Sequence, residues 1–152
     1  MLINTTTSSR VNTFRYLEHT SDIGIEVTAS TIENLFQHAA EGLLSIFIDP
    51  KQIRSIETRA ISLHAGDDES LLFRWLNEWL FLFDCDGFIP KKFRSLQYSR
   101  DESGVSINAF VLGDHFDERI HAVRTYVKAA TYHKLSIEKT ESGYIARVFF
   151  DV

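Results

Sequence analysis

Two stretches of this sequence carry apolar residues at helical spacing, and they set most of what the chain can fold into. Ile32, Leu35, Phe36, Ala39, Leu43, Leu44 and Phe47 recur at steps of three and four, which lines them along one face of an α-helix. Ser30 and Glu33 stand just ahead with capping-box spacing, so their side chains satisfy two free amides at the helix start. Pro50 lies past the end, where it cannot continue the helix. The second seam is Leu72, Trp75, Leu76, Trp79, Leu80 and Phe83, in a helix expected from 69 to about 83 with Asp67 and Asp68 as caps. Phe73, Phe81 and Leu82 widen its apolar arc, while Arg74, Asn77 and Glu78 mark its wet side. The wider arc predicts that this helix is the more deeply buried of the two.

The rest of the periodic sequence alternates. Residues 14–18 and 24–29 read as short strands around the polar corner His19-Thr20-Ser21-Asp22. Residues 56–65 read as another, with Ile61 and Leu63 alternating with Ser62 and His64. Beyond Gly87 the pattern is β throughout: 93–99, 105–112, 125–139 and 144–150, with a hairpin turn at Ser142-Gly143 joining the last two. Two helices among many strands predict a single α+β domain over 13–152, with both helices packed on one face of a sheet, after a loose segment at 1–12. Only two helices are legible, which favours this arrangement over an α/β sandwich with helices on both faces.

Composition limits the function classes. A chain of 152 residues with 44% apolar and 24% charged side chains can bury one sizeable core without disulfides. Cys85 is the sole cysteine, so no internal disulfide forms and a reducing compartment is expected. Asp84 and Asp86 flank it, and neighbouring anions disfavour a thiolate, so it reads as a helix-end residue rather than a nucleophile. The first dozen residues are polar and contain no apolar signal core. Nowhere is there a membrane-length apolar run of ~20 residues. The expectation is therefore a cytoplasmic protein. Sixteen Lys and Arg against 21 Asp and Glu give a net charge of −5, which argues against tight non-specific nucleic-acid binding by the whole surface.

No glycine-rich phosphate loop, C-x-x-C, H-E-x-x-H or G-x-S-x-G motif occurs. Three segments nonetheless hold chemistry-bearing residues. The corner His19-Thr20-Ser21-Asp22 reads, on composition alone, as a turn in which Asp22 bonds its own backbone. In Lys128-Ala129-Ala130-Thr131-Tyr132-His133, strand alternation places Lys128, Ala130 and Tyr132 on one face and Ala129, Thr131 and His133 on the other. The loop from Gly113 to His121 carries two histidines, His115 and His121, and reads as a solvated connection before it reads as a metal site. The sequence closes on an apolar strand followed by Asp151-Val152. The α-carboxylate beside Asp151 places two anions together, and they repel unless a cation or donors neutralise them. Were Asp22 to join them, three carboxylates would form a hard-oxygen site suited to Ca²⁺ or Mg²⁺.

Four pieces of the sequence together resemble the archease family: Tyr16-Leu17-Glu18-His19-Thr20-Ser21-Asp22-Ile23-Gly24, the pattern from Trp75 to Phe83, Val127-Lys128-Ala129-Ala130-Thr131-Tyr132-His133, and Asp151-Val152. They fall in one order from Phe14 to the end. Ser21 stands where the family usually has Ala. Ile120 separates Arg119 from His121 where an adjacent Arg-His is common, so no role is carried over to Arg119 or His121. The resemblance implies an α+β fold related to strand-helix-strand-strand modules. It implies a cytoplasmic protein, not itself an enzyme, that assists an RtcB-type RNA ligase in tRNA splicing and RNA repair. Such a protein promotes guanylylation of the ligase by GTP and its further turnover, and whether it touches RNA directly is left open. The resemblance also implies a divalent ion, Ca²⁺ or another hard cation such as Mg²⁺. Asp22 and Asp151 would hold it by their side chains and Val152 by its terminal carboxylate. Lys128 matches a functionally important lysine, and His19 and His133 join it as partner-facing residues. Two other readings remain: a metal-dependent hydrolase or nuclease using Asp22, His19 and Asp151, and a chaperone-like interaction module.

Overall fold

The computed structural model describes residues 14–18 and 22–152; the segment 1–12, Thr13, His19, Thr20 and Ser21 lie outside the described residues. Along the chain come β1 (Phe14–Glu18), β2 (Asp22–Ala29), α1 (Ile32–Phe47), a 3-10 turn (Pro50–Gln52), β3 (Glu57–Ala65) and α2 (Asp68–Asp86). Then follow β4 (Phe88–Asp101), β5 (Gly104–His115), β6 (Ala129–Ala130), β7 (Ser136–Thr140) and β8 (Gly143–Asp151). The expected α+β domain is observed, with a difference in its sheets. The strands form two antiparallel sheets, β1-β2-β8-β6 with β7 also on β8, and β3-β5-β4. Both helices touch both sheets: α1 lies on β2 and β8 and reaches β4, while α2 lies on β3, β4 and β5 and reaches β6. One core therefore joins Ile25 and Val27 of β2, Val148 and Phe150 of β8, the helix seams, and Val105, Ile107 and Val111 of β5.

The helices follow their sequence signals closely. Every residue of the α1 stripe is buried. Its N-cap is Thr31 rather than Ser30: the Thr31 hydroxyl accepts the Asn34 N–H at 3.1 Å. Helix α2 starts at the Asp67 cap and runs to Asp86, where Gly87 takes the left-handed φ of 70° and closes it. Its exposed last turn carries Cys85. Trp75 binds the two helices together by donating its indole N–H to the Phe36 carbonyl at 2.8 Å, and it meets Trp79 edge-on at 5.0 Å. Contrary to the wider apolar arc, α1 is the more buried helix. It also buries Ala40, Gly42 and Ile46, whereas Phe81 on α2 stays 59% exposed.

The strands depart from the alternation in three places. Strand β4 begins five residues before 93 and absorbs Pro90 through register shifts at Pro90/Lys92 and Phe93/Ser95, the bulges that let a proline enter a ladder. The segment 125–139 is not one strand. It contributes only Ala129–Ala130 and Ser136–Thr140, separated by a turn in which Lys134 has a φ of 57°. The face assignment drawn from strand alternation therefore fails beyond Ala130. In the last hairpin Thr140 pairs with Gly143, so the turn residues are Glu141 and Ser142, one position early. Gly143 sits at a φ of 147°, and a Cβ there would lie 2.1 Å from the Ala29 carbonyl oxygen. No other residue type fits that strand start without moving β2.

The loop read as solvated holds a buried polar network. Asp114 and His121 are 0% and 2% exposed. Arg54 approaches the Asp114 carboxylate with its backbone N–H at 2.8 Å, Nε at 3.0 Å and Nη2 at 3.0 Å. The His115 N–H donates to the same carboxylate at 2.8 Å. The Asp117 N–H donates to Nδ1 of His121 at 3.0 Å, so Nε2 is the ring nitrogen that donates to Asp114, at 2.9 Å. Burial alone would raise the Asp114 pKa, but these donors outweigh it and hold the carboxyl well below the usual carboxylate range. A depressed folded-state pKa contributes stability above the unfolded value and loses it as the pH falls through the folded one. Asp114→Ala should therefore destabilise the fold by about 1–3 kcal/mol, because the buried His121 Nε2–H and the backbone N–H groups of Arg54 and His115 lose their acceptor. In urea melts at falling pH, the native chain should lose stability below about pH 4, and Asp114→Asn should show a shallower acid slope.

Candidate functional site

The register of β2 against β8 sets Asp22 directly opposite Asp151. Side chains of such a pair project from the same face with Cβ atoms about 4.5–5.5 Å apart. Asp22 thus opens a strand instead of forming a turn on its own backbone. On the other flank of β8, Ala129 pairs with Asp151 and Ala130 with Phe150. The Lys128 N–H donates to the Asp151 carbonyl at 2.8 Å, and the Thr131 N–H and hydroxyl both donate to the Phe149 carbonyl at 3.0 Å. One end of the sheet therefore collects Asp22, Asp151, Val152 and Lys128, the last three exposed and Asp22 half-buried. His133 is exposed and lies beyond the two-residue β6, in the turn before Ser136. His19 lies outside the described residues.

Like charges directly opposed across two strands repel, and this pair offers hard oxygen donors at the same end of the sheet as Lys128. Among the described residues no group of three or more His, Cys, Asp or Glu side chains is gathered to hold a metal ion. Side chains there supply a pair of carboxylates. That chemistry fits Ca²⁺ or Mg²⁺ rather than a soft metal.

The position of Lys128 is set by contacts that sequence reasoning passed over. Asn77, assigned to the wet side of α2, accepts the Ala130 N–H at 2.9 Å and donates to the Ala130 carbonyl at 3.2 Å. Its amide does for Ala130 what a neighbouring strand would do. Four residues earlier on α2, Phe73 stacks on Tyr132 at 3.8 Å and 12°. Seven residues after Asn77, Asp84 accepts the Tyr126 hydroxyl at 3.2 Å. The Asp84 charge also raises the Tyr126 phenol above its ordinary pKa. The chain before Lys128 is tied to α1 by Arg124 N–H to the Phe47 carbonyl at 2.7 Å and by the Ile48–Val123 bridge. The signal was present: Asn77 interrupts an apolar row four residues from both Phe73 and Phe81, where an amide needs a partner. Asn77→Ala should cost about 1–3 kcal/mol in urea unfolding, because it orphans both polar groups of Ala130. Amide exchange at Lys128 and Ala130 should accelerate more than at Val148.

The fold is shared with solved structures. The solution structure of Methanobacterium thermoautotrophicum protein 1598 matches with a TM-score of 0.80 at 27% identity, over 91% of this chain and 98% of that one. The crystal structure of an archease, described as a possible chaperone, from Thermotoga maritima matches with a TM-score of 0.60 at 23% identity over 90% and 94%, a likeness of fold alone. At the sequence level, the Archease protein family (MTH1598/TM1083) matches residues 14–152. The Protein archease of Saccharolobus solfataricus is 38% identical over 139 residues, 91% of this chain and 98% of the relative. That of Methanosarcina barkeri is 38% identical over 146 residues, 95% and 99%. The chain belongs to the archease family. No helix among the described residues is long and apolar enough to cross a membrane.

Proposed function

We propose that this chain is a protein cofactor of an RtcB-type, GTP-dependent RNA ligase in the cytoplasm, acting in tRNA splicing and RNA repair, and not an enzyme in its own right. The single observation that carries the reading is the opposition of Asp22 and Asp151 across β2 and β8, with Lys128 hydrogen-bonded to the Asp151 backbone. In this reading Asp22, Asp151 and the α-carboxylate of Val152 hold a hard divalent cation, Ca²⁺ or Mg²⁺. When bound, such a cation supplies positive charge that screens and orients phosphate oxygens. Three protein groups fill fewer than the six to eight oxygen positions that Ca²⁺ takes, which leaves room for a partner's groups. Lys128 adds an exposed ammonium at the same end, a point charge suited to a phosphate. His133, and His19 before β2, complete the partner-facing rim.

The chain's own residues then divide the work. Asp22 and Asp151 provide the anionic seat, and the β2–β8 ladder keeps them opposed. Asn77 and the Tyr132–Phe73 stack hold the Lys128 segment so that the ammonium needs little ordering when the partner arrives.

A multiple-turnover ligation assay tests this reading, using RtcB-type ligase from the same source, GTP and Mg²⁺ or Mn²⁺, with and without the chain. The expected result is ligation well beyond one product per ligase. Asp22→Ala, Asp151→Ala and Lys128→Ala should each reduce that stimulation at least about tenfold, since even residues around a metal site typically contribute that much. Full stimulation by these variants would reject the assigned site. No stimulation and no association with the ligase would reject the function, and RNA cleavage by the chain alone would favour the hydrolase reading. Calorimetric titration with Ca²⁺ separates the last ligand: a residue appended after Val152 should weaken binding, and unchanged binding removes Val152 from the set.

A further inference from the structure

At the far end of the same two strands the register brings Ala29 opposite Tyr144, about 23 Å along the ladder from Asp22 and Asp151. There a cleft of about 330 Å³ opens, lined by Ile32, Tyr98, Arg100, Ile137, Lys139 and Tyr144, with Asp68 at its wall. Its size falls at the small end of pockets that take a single small molecule. Three separate parts of the fold build it: the end of β4, the β7–β8 hairpin, and the first residues of both helices.

The charges in the cleft are unevenly committed. Asp68, its one carboxylate, is engaged at both oxygens: Oδ1 accepts the Tyr98 hydroxyl at 2.5 Å and Oδ2 accepts Arg100 Nη2 at 3.0 Å. Arg100 uses only that nitrogen, which also reaches Tyr98 at 3.1 Å, so its remaining N–H groups have no protein acceptor among the described residues. The Lys139 ammonium makes no hydrogen bond or ion pair among the described residues and stands 6.0 Å from the Tyr144 ring centroid. Burial and the Asp68 carboxylate push the Tyr98 phenol up to about 12, so it remains a neutral hydroxyl. Helices α1 and α2 both begin at the cleft, through Ile32 and Asp68, and their N-terminal ends add partial positive charge. Beside this cationic rim lie two aliphatic side chains and two phenol rings.

We propose that this cleft binds a phosphorylated, ring-bearing ligand, namely a mononucleotide, free or at the end of a polynucleotide. Arg100 and Lys139 take the phosphate, and Tyr98, Tyr144, Ile32 and Ile137 take the ring. Fork-shaped guanidinium and ammonium groups suit phosphate oxygens, and aromatic faces suit a planar base. The site is independent of the proposed cation seat at Asp22 and Asp151.

The test is calorimetric titration of the full chain with GMP, guanosine, inorganic phosphate and a short oligoribonucleotide bearing a terminal phosphate. GMP should bind, with guanosine and inorganic phosphate each weaker by about tenfold or more. Tighter binding of the oligoribonucleotide than of GMP identifies a polynucleotide end as the source, and equal or weaker binding identifies the free nucleotide. Lys139→Gln breaks no hydrogen bond or ion pair described in the fold and should weaken GMP binding at least about tenfold with an unchanged circular dichroism spectrum. Arg100→Gln should act in the same direction, while Asp151→Asn should leave GMP binding unaltered. Absence of GMP binding at millimolar concentration, or binding indifferent to both cleft variants, would overturn the proposal. Inorganic phosphate binding as tightly as GMP would overturn its ring-recognising part.

Discussion

Strand β8 makes hydrogen-bonded ladders with β2 on one flank and with β6 and β7 on the other, and the arrangement of the molecule depends on that register. The side-chain period of a strand is two, so a slip of one residue would turn Ala146, Val148 and Phe150 away from the core. Burial of those three residues therefore fixes where Asp151 stops along the sheet. Asp22 and Lys128 are brought to it from opposite sides by the same ladders. A pair of like charges is held opposed here by apolar burial several residues away, because repulsion of that size is small beside the burial of a Val and a Phe.

How much of this was legible depended on the kind of information each residue carries. The α1 stripe was read residue by residue because burial on one helical face imprints its period on the sequence. Its cap slipped by one position because Ser30 and Thr31 are both competent caps. The division into two sheets was not legible, since alternation says which face of a strand is buried and not which strand lies beside it. The segment 125–139 alternates like a strand, yet much of what its backbone needs comes from α2 through Asn77. Asp114 and His121 were misread as solvated because polar residues in a loop normally are. Only the tertiary fold shows that Arg54, sixty residues away, converts Asp114 into a buried acceptor. At the candidate site, the Asp22–Asp151 opposition could be posed from sequence only as a condition, because it is a matter of register.

Loops of this length normally take their order from their ends, but the connection between β5 and β6 is fastened along its course. The Asp114–His121 pair closes its beginning, Gln52 accepts the Ala122 N–H at 3.2 Å, and Arg124 reaches the Ser45 carbonyl at 3.1 Å. The exposed Lys128 thus stands at the end of a tether with fixed points on the 3-10 turn, α1 and α2. An interaction group on a restrained backbone loses less freedom on association than one on a free loop.

The pairing of β2 with β8 also has a temporal side. β2 is made early and β8 after every other described element, with more than a hundred residues between Ala29 and Gly143. During synthesis, one edge of β2 has no partner strand while the helices and the second sheet are already emerging. Contacts of such sequence separation form slowly, because chain entropy opposes them until the partner arrives. An open edge of that kind is also where nascent chains associate wrongly. The half-site at Asp22 is thus completed last, and a molecule truncated before β8 would present a bare strand edge in place of a carboxylate pair.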